Sequence, residues 1–257
     1  MTEADAGAEN AGKTDPKVMG LMDHLDELRS RLVKSLLAII VLFAVAMTFA
    51  NQILEYLKTP LLAALPEASK GLHFTSPIEP FIAQLKVSFL CAVIAGCPIW
   101  FYQFWRFIEP ALYENEKKYV IPFALASVLL FYSGVGFCFY LMLPLALQFL
   151  ISLGLETATA IITISDYISV LMLLIFAFGF IFETPLILVL LAMLDLISAE
   201  TLSRNRKFIV VGILVLGALT TPPDPISQMA MALPTYLMFE VSILIIKMIK
   251  KEKTAKE

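Results

Sequence analysis

Six long apolar runs, separated by polar or proline-rich connections, dominate this sequence. They cover residues 33–51, 81–105, 120–147, 167–194, 208–219 and 226–246. Several of these runs approach or exceed the ~20 residues that a helix needs to cross ~30 Å of hydrocarbon. The chain is 59% apolar, compared with roughly 45–50% in soluble domains. These features predict an all-α polytopic membrane protein with six transmembrane helices.

The segments outside the runs suggest a simple domain organisation. Residues 1–17 are small, polar and acidic, and we expect them to be disordered. Residues 18–247 form one membrane domain, and residues 248–257 form a short basic tail. Leucines repeat at helical spacing over residues 20–32, which predicts a helix that lies along the membrane surface and continues into the first span.

The basic residues are distributed unevenly around the six runs. Sixteen of the 19 lysines and arginines lie in the N-terminal segment, near the connection at residues 107–118, in the loop after the fourth run, or in the C-terminal tail. Six spans place all four regions on one side of the membrane, and basic residues favour the cytoplasmic side. Both termini are therefore predicted to be cytoplasmic. So is the connection at residues 107–118, which carries three carboxylates.

The fifth run is short for a membrane span. A helix of residues 208–219 reaches only ~18 Å at 1.5 Å per residue, well below the ~30 Å of a typical hydrocarbon layer. We expect helices five and six to be short, with the bilayer locally thinned beside them near Leu214.

Several classes of function are disfavoured by what the sequence contains. Histidines and cysteines show no metal-ligand spacing, and neither a glycine-rich phosphate loop nor a nucleophile elbow occurs. The formal net charge of −3 provides no basic face for nucleic acid. We therefore expect no enzymatic activity, no cofactor, no metal and no nucleic-acid partner.

Two acidic residues lie within the apolar runs. Glu183 is near mid-membrane, where an ionised acid is costly and commonly functional. It either stays protonated on a carbonyl freed by Pro185 or lines a polar cavity open to water. Glu240 lies nearer the cytoplasmic end. The pair suggests an ion-coupled small-molecule transporter as an alternative function, although no internal repeat supports it.

Three further acids each have a structural and a functional interpretation. Glu27 can pair with Arg31 one turn later, Glu116 suits the start of the third span, and Asp224 can cap the sixth. Alternatively, Glu27 and Glu116 could each accept a two-pronged hydrogen bond from a guanidinium. The ligand would then carry two arginines, and a hydrophobic stretch after them would suit an apolar groove between spans.

Six short motifs, in order along residues 21–247, together carry a family resemblance. They are HLDELR at 24–29 with Arg31-Leu32, SPIEPF at 76–81, PIWFYQFWRF at 98–107, EPALYENEK at 109–117, FGFIFETP at 178–185, and TTPPD at 220–224 with Gln228. This set resembles the TatC family, the multispanning receptor subunit of the twin-arginine protein translocase.

The resemblance implies an open, concave, glove-like arrangement of the six helices in a bacterial cytoplasmic (inner) membrane. It implies a receptor for twin-arginine signal peptides of folded precursor proteins, driven by the proton motive force. Its partners would be single-span subunits of the TatA and TatB kind and further copies of itself within the complex, besides membrane lipid. A scaffold without a transport role is a third hypothesis.

The resemblance also assigns roles to individual residues. The residues that would bind the signal peptide are Glu27, Arg29, Phe107 and Glu116. Contact with a partner helix or an inserted signal would involve Glu183 and Gln228. The residues needed for structure or assembly would be Pro60, Pro98 and Asp224. One position departs from the family. Glu114 stands where the best-known members have a lysine, which makes the connection more acidic.

Overall fold

The computed structural model describes residues 21–65, 76–112, 117–155, 163–220 and 225–254. Within these ranges the chain forms eleven α-helices, with short 3-10 and π-helical turns. The helices are α1 Leu21–Thr48, α2 Ala50–Ala64, α3 Glu79–Ala95, α4 Cys97–Ile108, α5 Val120–Phe137, α6 Leu143–Leu155, α7 Ile164–Ile181, α8 Thr184–Met193, α9 Ala199–Arg204, α10 Arg206–Thr220 and α11 Pro225–Thr254.

All six predicted spans have helical counterparts among the described residues. Four segments are long and apolar enough to cross a membrane, and the bent pair α3–α4 makes a fifth. The four are His24–Thr48, Lys117–Ser152, Ile164–Met193 and Gln228–Ile249. Helix α10 corresponds to the fifth run. Its 15 residues reach ~22 Å at 1.5 Å per residue, so the short helix five is confirmed.

Helix α1 joins the segment at residues 21–32 to the first span without a break, as predicted. It runs over 28 residues, ~42 Å at 1.5 Å per residue, which exceeds the ~30 Å of a typical hydrocarbon layer. The position of its first turns relative to the membrane surface remains a prediction. Neither proline nor glycine interrupts it. The Ser35 hydroxyl donates to the Arg31 carbonyl at 3.1 Å, which the continuous helix accommodates.

A bend of 53° separates α3 from α4. Pro98 lacks the N–H that would bond the Ile94 carbonyl, and the Tyr132 hydroxyl donates to that carbonyl instead, at 3.1 Å. Gly96 lies at the bend, where a Cβ atom would be 2.9 Å from the Ala92 carbonyl oxygen of α3 and 3.3 Å from Leu42 Cδ1 of α1. The sequence signals Gly96 and Pro98 therefore mark a bent span, not a straight one.

Two apolar clusters fill the bundle. One joins α2 with α3, the C-terminal part of the third span and α7, and we call the end of the bundle that holds α2 the α2 end. There the Tyr167 hydroxyl donates to the Leu57 carbonyl at 2.6 Å. The other joins α4, α8, α9 and the last part of α11, which defines the α9 end. Because the first turns of α1 contact α4, they also lie at the α9 end.

The last helix is longer than predicted. Helix α11 continues to Thr254, so most of the predicted basic tail at residues 248–257 is helical. The lysines that begin at Lys247 therefore extend a span instead of forming a separate segment. The turn at residues 221–224 and the N-terminal tail lie outside the described residues.

Candidate functional site

The predicted docking acid Glu27 lies on the side of α1 that faces α4. Arg31, one turn along α1, donates from Nε to Glu27 Oε1 at 2.9 Å, and its Nη2 contacts the same oxygen. Arg31 Nη1 also donates to Gln103 Oε1 on α4 at 3.3 Å. Both charged side chains are 20% exposed. The predicted i,i+4 ion pair therefore forms, and it also links α1 to α4.

The two oxygens of Glu27 are not equivalent. Oε1 takes both contacts from Arg31. Oε2 is buried and has no hydrogen-bond partner within the described part of the chain. A buried acceptor without a partner is costly. This carboxylate is therefore suited to a further donor.

Two other predicted binding residues lie close to Glu27 along the chain or in space. His24, one turn before Glu27, stacks on the Phe107 ring with centroids 4.5 Å apart and an interplanar angle of 19°. This contact holds the start of α1 against the last turn of α4. Arg29 is exposed on another side of α1. The structure thus brings Glu27 and Phe107 onto one α1–α4 surface, which Arg29 adjoins.

An apolar groove of about 310 Å³ runs between α1 and α4 from this surface toward the α2 end. Arg31, Gln103 and Phe107 lie at its mouth. Its lining residues are mostly apolar and comprise Leu28, Arg31, Leu32, Ser35, Leu36, Ile39, Trp100, Gln103, Phe104 and Phe107. The expected ligand with a hydrophobic stretch remains a prediction.

Only part of the acidic connection is described. Of its three carboxylates, Glu109 forms an ion pair with Arg106 at 2.5 Å. Glu114 and Glu116 lie outside the described residues, as does Asp224. Their assigned roles remain predictions.

Glu183 faces the interior of the helix bundle. It is 4% exposed, so the predicted cavity open to water is wrong for this chain alone. The Ser127 side chain lies next to the carboxyl group, and Ser127 Oγ accepts from Trp105 Nε1 at 2.8 Å. Glu183 Oε1 has no hydrogen-bond partner among the described residues.

The alternative interpretation of Glu183 also needs correction. Pro185 frees the Ile181 carbonyl, as predicted. The Thr184 hydroxyl donates to that carbonyl at 2.6 Å, so Glu183 is not its partner. Helix α7 ends at this point and α8 begins. Glu183 thus sits at a break between two helices, where its carboxyl group turns toward Ser127.

Pro60 lies inside α2, where its missing N–H frees the Tyr56 carbonyl. The Thr59 hydroxyl donates to that carbonyl at 2.7 Å, as Thr184 does beside Pro185. In both places the hydroxyl of the threonine before the proline therefore satisfies the carbonyl that the proline leaves free. The Tyr56 hydroxyl is hydrogen-bonded to that of Tyr140 at 2.8 Å, which ties α2 to the third span.

Gln228 and Glu240 both have partners within the chain. The Gln228 side chain donates to the Leu214 carbonyl at 2.9 Å and holds α11 against α10. Glu240 forms an ion pair with Arg206 at 2.8 Å and accepts from the Tyr236 hydroxyl at 2.7 Å. These contacts stabilise the α10–α11 hairpin.

Three polar residues near Glu27 or Glu183 were not singled out from the sequence. Gln103, Ser127 and Trp105 lie in apolar runs and showed no partner by spacing. Polar side chains within a membrane span are themselves a signal of function or of interhelical contact. Applied to Gln103 and Ser127, that rule would have identified both.

Comparison with known proteins agrees with this architecture. A model of the family described as Sec-independent protein translocase protein (TatC) matches residues 23–234. Proteins named Sec-independent protein translocase protein TatC from Aquifex aeolicus and from Escherichia coli (strain K12) are 41% and 39% identical to the chain. The alignment with the Aquifex aeolicus protein covers 91% of this chain and 98% of that relative. The alignment with the Escherichia coli protein covers 87% of this chain and 86% of that relative.

Solved structures extend the likeness to the fold. A crystal structure of the twin arginine translocase receptor TatC is 40% identical, with a TM-score of 0.75, and the match covers 88% of this chain and 98% of the other. A second crystal structure of this receptor, obtained in DDM, is also 40% identical, with a TM-score of 0.76. That match covers 87% of this chain and 99% of the other. The chain thus has the six-span, open, glove-like arrangement expected from its resemblance. It belongs to the TatC family of Sec-independent protein translocase proteins.

Proposed function

We propose that this chain is the receptor component of a twin-arginine translocase, and that it binds the signal peptides of folded precursor proteins at Glu27. The observation that carries the proposal is the Glu27 carboxylate itself. One of its oxygens already accepts two donors from the guanidinium of Arg31, a residue that lines the apolar groove between α1 and α4. Its other oxygen has no partner in the described chain. A peptide arginine fits this carboxylate because a guanidinium presents paired donors in one plane.

The second arginine of the motif would bind Glu116. Glu116 follows the end of α4 closely in sequence. The hydrophobic stretch of the signal peptide would lie in the groove between α1 and α4, where the lining offers mostly apolar side chains. Arg29 and Phe107 would border the same surface.

The remaining assignments concern assembly and orientation. The chain would associate with TatA-like and TatB-like single-span subunits and with further copies of itself, and would nucleate a complex driven by the proton motive force. Glu183 and Gln228 would contact a partner helix or an inserted signal. Since Glu183 is buried in the single chain, such contact would require α4, α5 or α8 to move. Pro60 and Pro98 would support assembly by shaping α2 and the bend before α4, and Asp224 by shaping the α10–α11 turn.

Localisation follows from the basic residues. We place the chain in the bacterial cytoplasmic (inner) membrane with both termini and the α9 end in the cytoplasm, because the basic residues concentrate there. The docking surface would then face newly made precursors.

An ion-coupled small-molecule transporter is less well supported. It needs Glu183 and Glu240 as proton sites, yet Glu240 forms an ion pair with Arg206 and Glu183 is 4% exposed. Family membership also favours protein translocation.

Photo-crosslinking of signal peptides to the detergent-solubilised chain tests the proposal. A twin-arginine peptide should label the protein, an otherwise identical twin-lysine peptide should label it weakly, and excess unlabelled twin-arginine peptide should abolish labelling. Equal labelling by both peptides would contradict a guanidinium receptor and favour the scaffold or transporter hypothesis.

A further inference from the structure

We infer that Arg31 is an intramolecular competitor for the docking carboxylate. In the empty receptor its guanidinium occupies the position of a peptide arginine on Glu27, and it must move away when a signal peptide docks. This inference rests on the proposed function, and it identifies Arg31 as a residue that sets the affinity of the site.

The contacts around Glu27 leave no room for two full guanidinium pairings. A two-pronged bond from a peptide arginine uses both carboxylate oxygens. Oε1 is taken by Arg31 Nε and Nη2, and Oε2 is buried in the structure. A peptide guanidinium can reach both oxygens only after Arg31 has released Oε1.

Arg31 has a second acceptor available when it moves. Its guanidinium carries five N–H donors, and Nη1 already donates to Gln103 Oε1 at 3.3 Å on the neighbouring helix. This bond is long while Arg31 also holds Glu27, and release from Glu27 lets the guanidinium approach Gln103 more closely. Gln103 therefore favours the displaced position of Arg31.

The competition is expected to be modest. Arg31 and Glu27 form a partly exposed i,i+4 pair, and such pairs correspond to about a 2- to 5-fold change in an equilibrium constant. Every peptide must displace the same pair. Arg31 therefore lowers the affinity for all peptides by one factor and excludes weakly bound ligands, without changing their ranking.

The test measures the dissociation constant of a labelled twin-arginine peptide on the full-length, solubilised chain. Arg31→Gln should bind about 3-fold more tightly than wild type. Lys34→Gln is the matched control, since it removes the same charge from an exposed neighbouring position of α1, and its affinity should stay at the wild-type value. Unchanged or weaker binding by Arg31→Gln, or equal tightening by Lys34→Gln, would overturn the inference.

A double-mutant cycle separates competition from a merely structural role. Gln103→Leu alone should weaken peptide binding about 2-fold, because displaced Arg31 loses its acceptor, and should have no effect in the Arg31→Gln background. Equal weakening in both backgrounds would mean that Gln103 acts without Arg31, which contradicts the mechanism. If Arg31→Gln does not fold, Arg31→Lys should also tighten binding, because an ammonium lacks the planar fork; failure to tighten would refute the inference.

The same measurements separate this inference from the proposed function. A wild-type chain that does not distinguish twin-arginine from twin-lysine peptides refutes the receptor role, and the competition with it. A wild-type chain that distinguishes them, with an Arg31→Gln variant that binds no more tightly, refutes the competition alone.

Discussion

Replacing Glu27 by glutamine is the most direct perturbation of the proposed docking site. Glutamine has nearly the same shape and keeps one carbonyl acceptor, but it loses the charge and the second acceptor oxygen. Helix α1 should remain intact, because it is unbroken over 28 residues and glutamine is a good helix former. The variant therefore isolates charge-assisted recognition of a guanidinium.

The expected loss follows from the contacts of Glu27. Hydrogen bonds to a charged group contribute about 1.5–3 kcal/mol, against about 0.5–1.5 kcal/mol for neutral ones. In the wild type a peptide must first displace Arg31, whose partly exposed pair contributes about 0.2–1 kcal/mol. A two-pronged pairing contains two hydrogen bonds to the charged group, so loss of the charge costs about 2–3 kcal/mol, and the net loss in Glu27→Gln is about 1–3 kcal/mol. This corresponds to about 5- to 150-fold weaker binding.

Fluorescence anisotropy of a labelled twin-arginine peptide on the solubilised chain measures this change. The matched control is Glu55→Gln. Like Glu27, Glu55 forms an ion pair with a basic residue on its own helix, here Lys58 at 2.7 Å, but Glu55 is exposed at the α2 end. The Glu55→Gln variant should bind the peptide with wild-type affinity. Wild-type affinity in Glu27→Gln, or equal weakening in Glu55→Gln, would refute direct recognition by Glu27.

Three further predictions address other parts of the chain. Glu116→Ala should weaken twin-arginine peptide binding about 10-fold while insertion and thermal stability stay normal, and an unchanged dissociation constant would remove Glu116 from the site. Glu183→Ala should leave peptide affinity unchanged but reduce co-purification with TatA-like and TatB-like subunits and reduce export; normal values of both would limit this acid to packing with Ser127. A spin label at Leu214 should report a hydrocarbon layer thinner than ~30 Å beside α10, and full-thickness lipid there would contradict local thinning.

Much of the fold could be predicted from local features of the sequence. Hydrophobicity summed over a window identifies a membrane-spanning helix because each residue contributes separately to transfer into lipid. The six runs therefore correspond to helices of the structure. Pro98 and Pro185 lie beside breaks between helices, where a proline removes a backbone N–H, whereas α2 continues through Pro60.

Two boundaries involve neighbouring segments that share one helix. The helix at residues 20–32 was expected to continue into the first span, and α1 has no break there. The basic residues after 247 suggested a tail, yet α11 extends to Thr254. Charge signals where a helix leaves the lipid and not where it ends, because a helix that continues into water keeps its backbone hydrogen bonds within itself.

The arrangement of the candidate site was decided by tertiary structure. The i,i+4 spacing of Glu27 and Arg31 follows from one helix, and the sequence sufficed to predict their contact. The contact from Arg31 to Gln103 spans 72 residues, and it depends on how α1 and α4 are rotated and on the bend that directs α4. The inward orientation of Glu183 toward Ser127 has the same origin. A sequence determines which side chains a helix carries and at what depth, whereas the rotation of each helix against its neighbours depends on packing along the whole bundle.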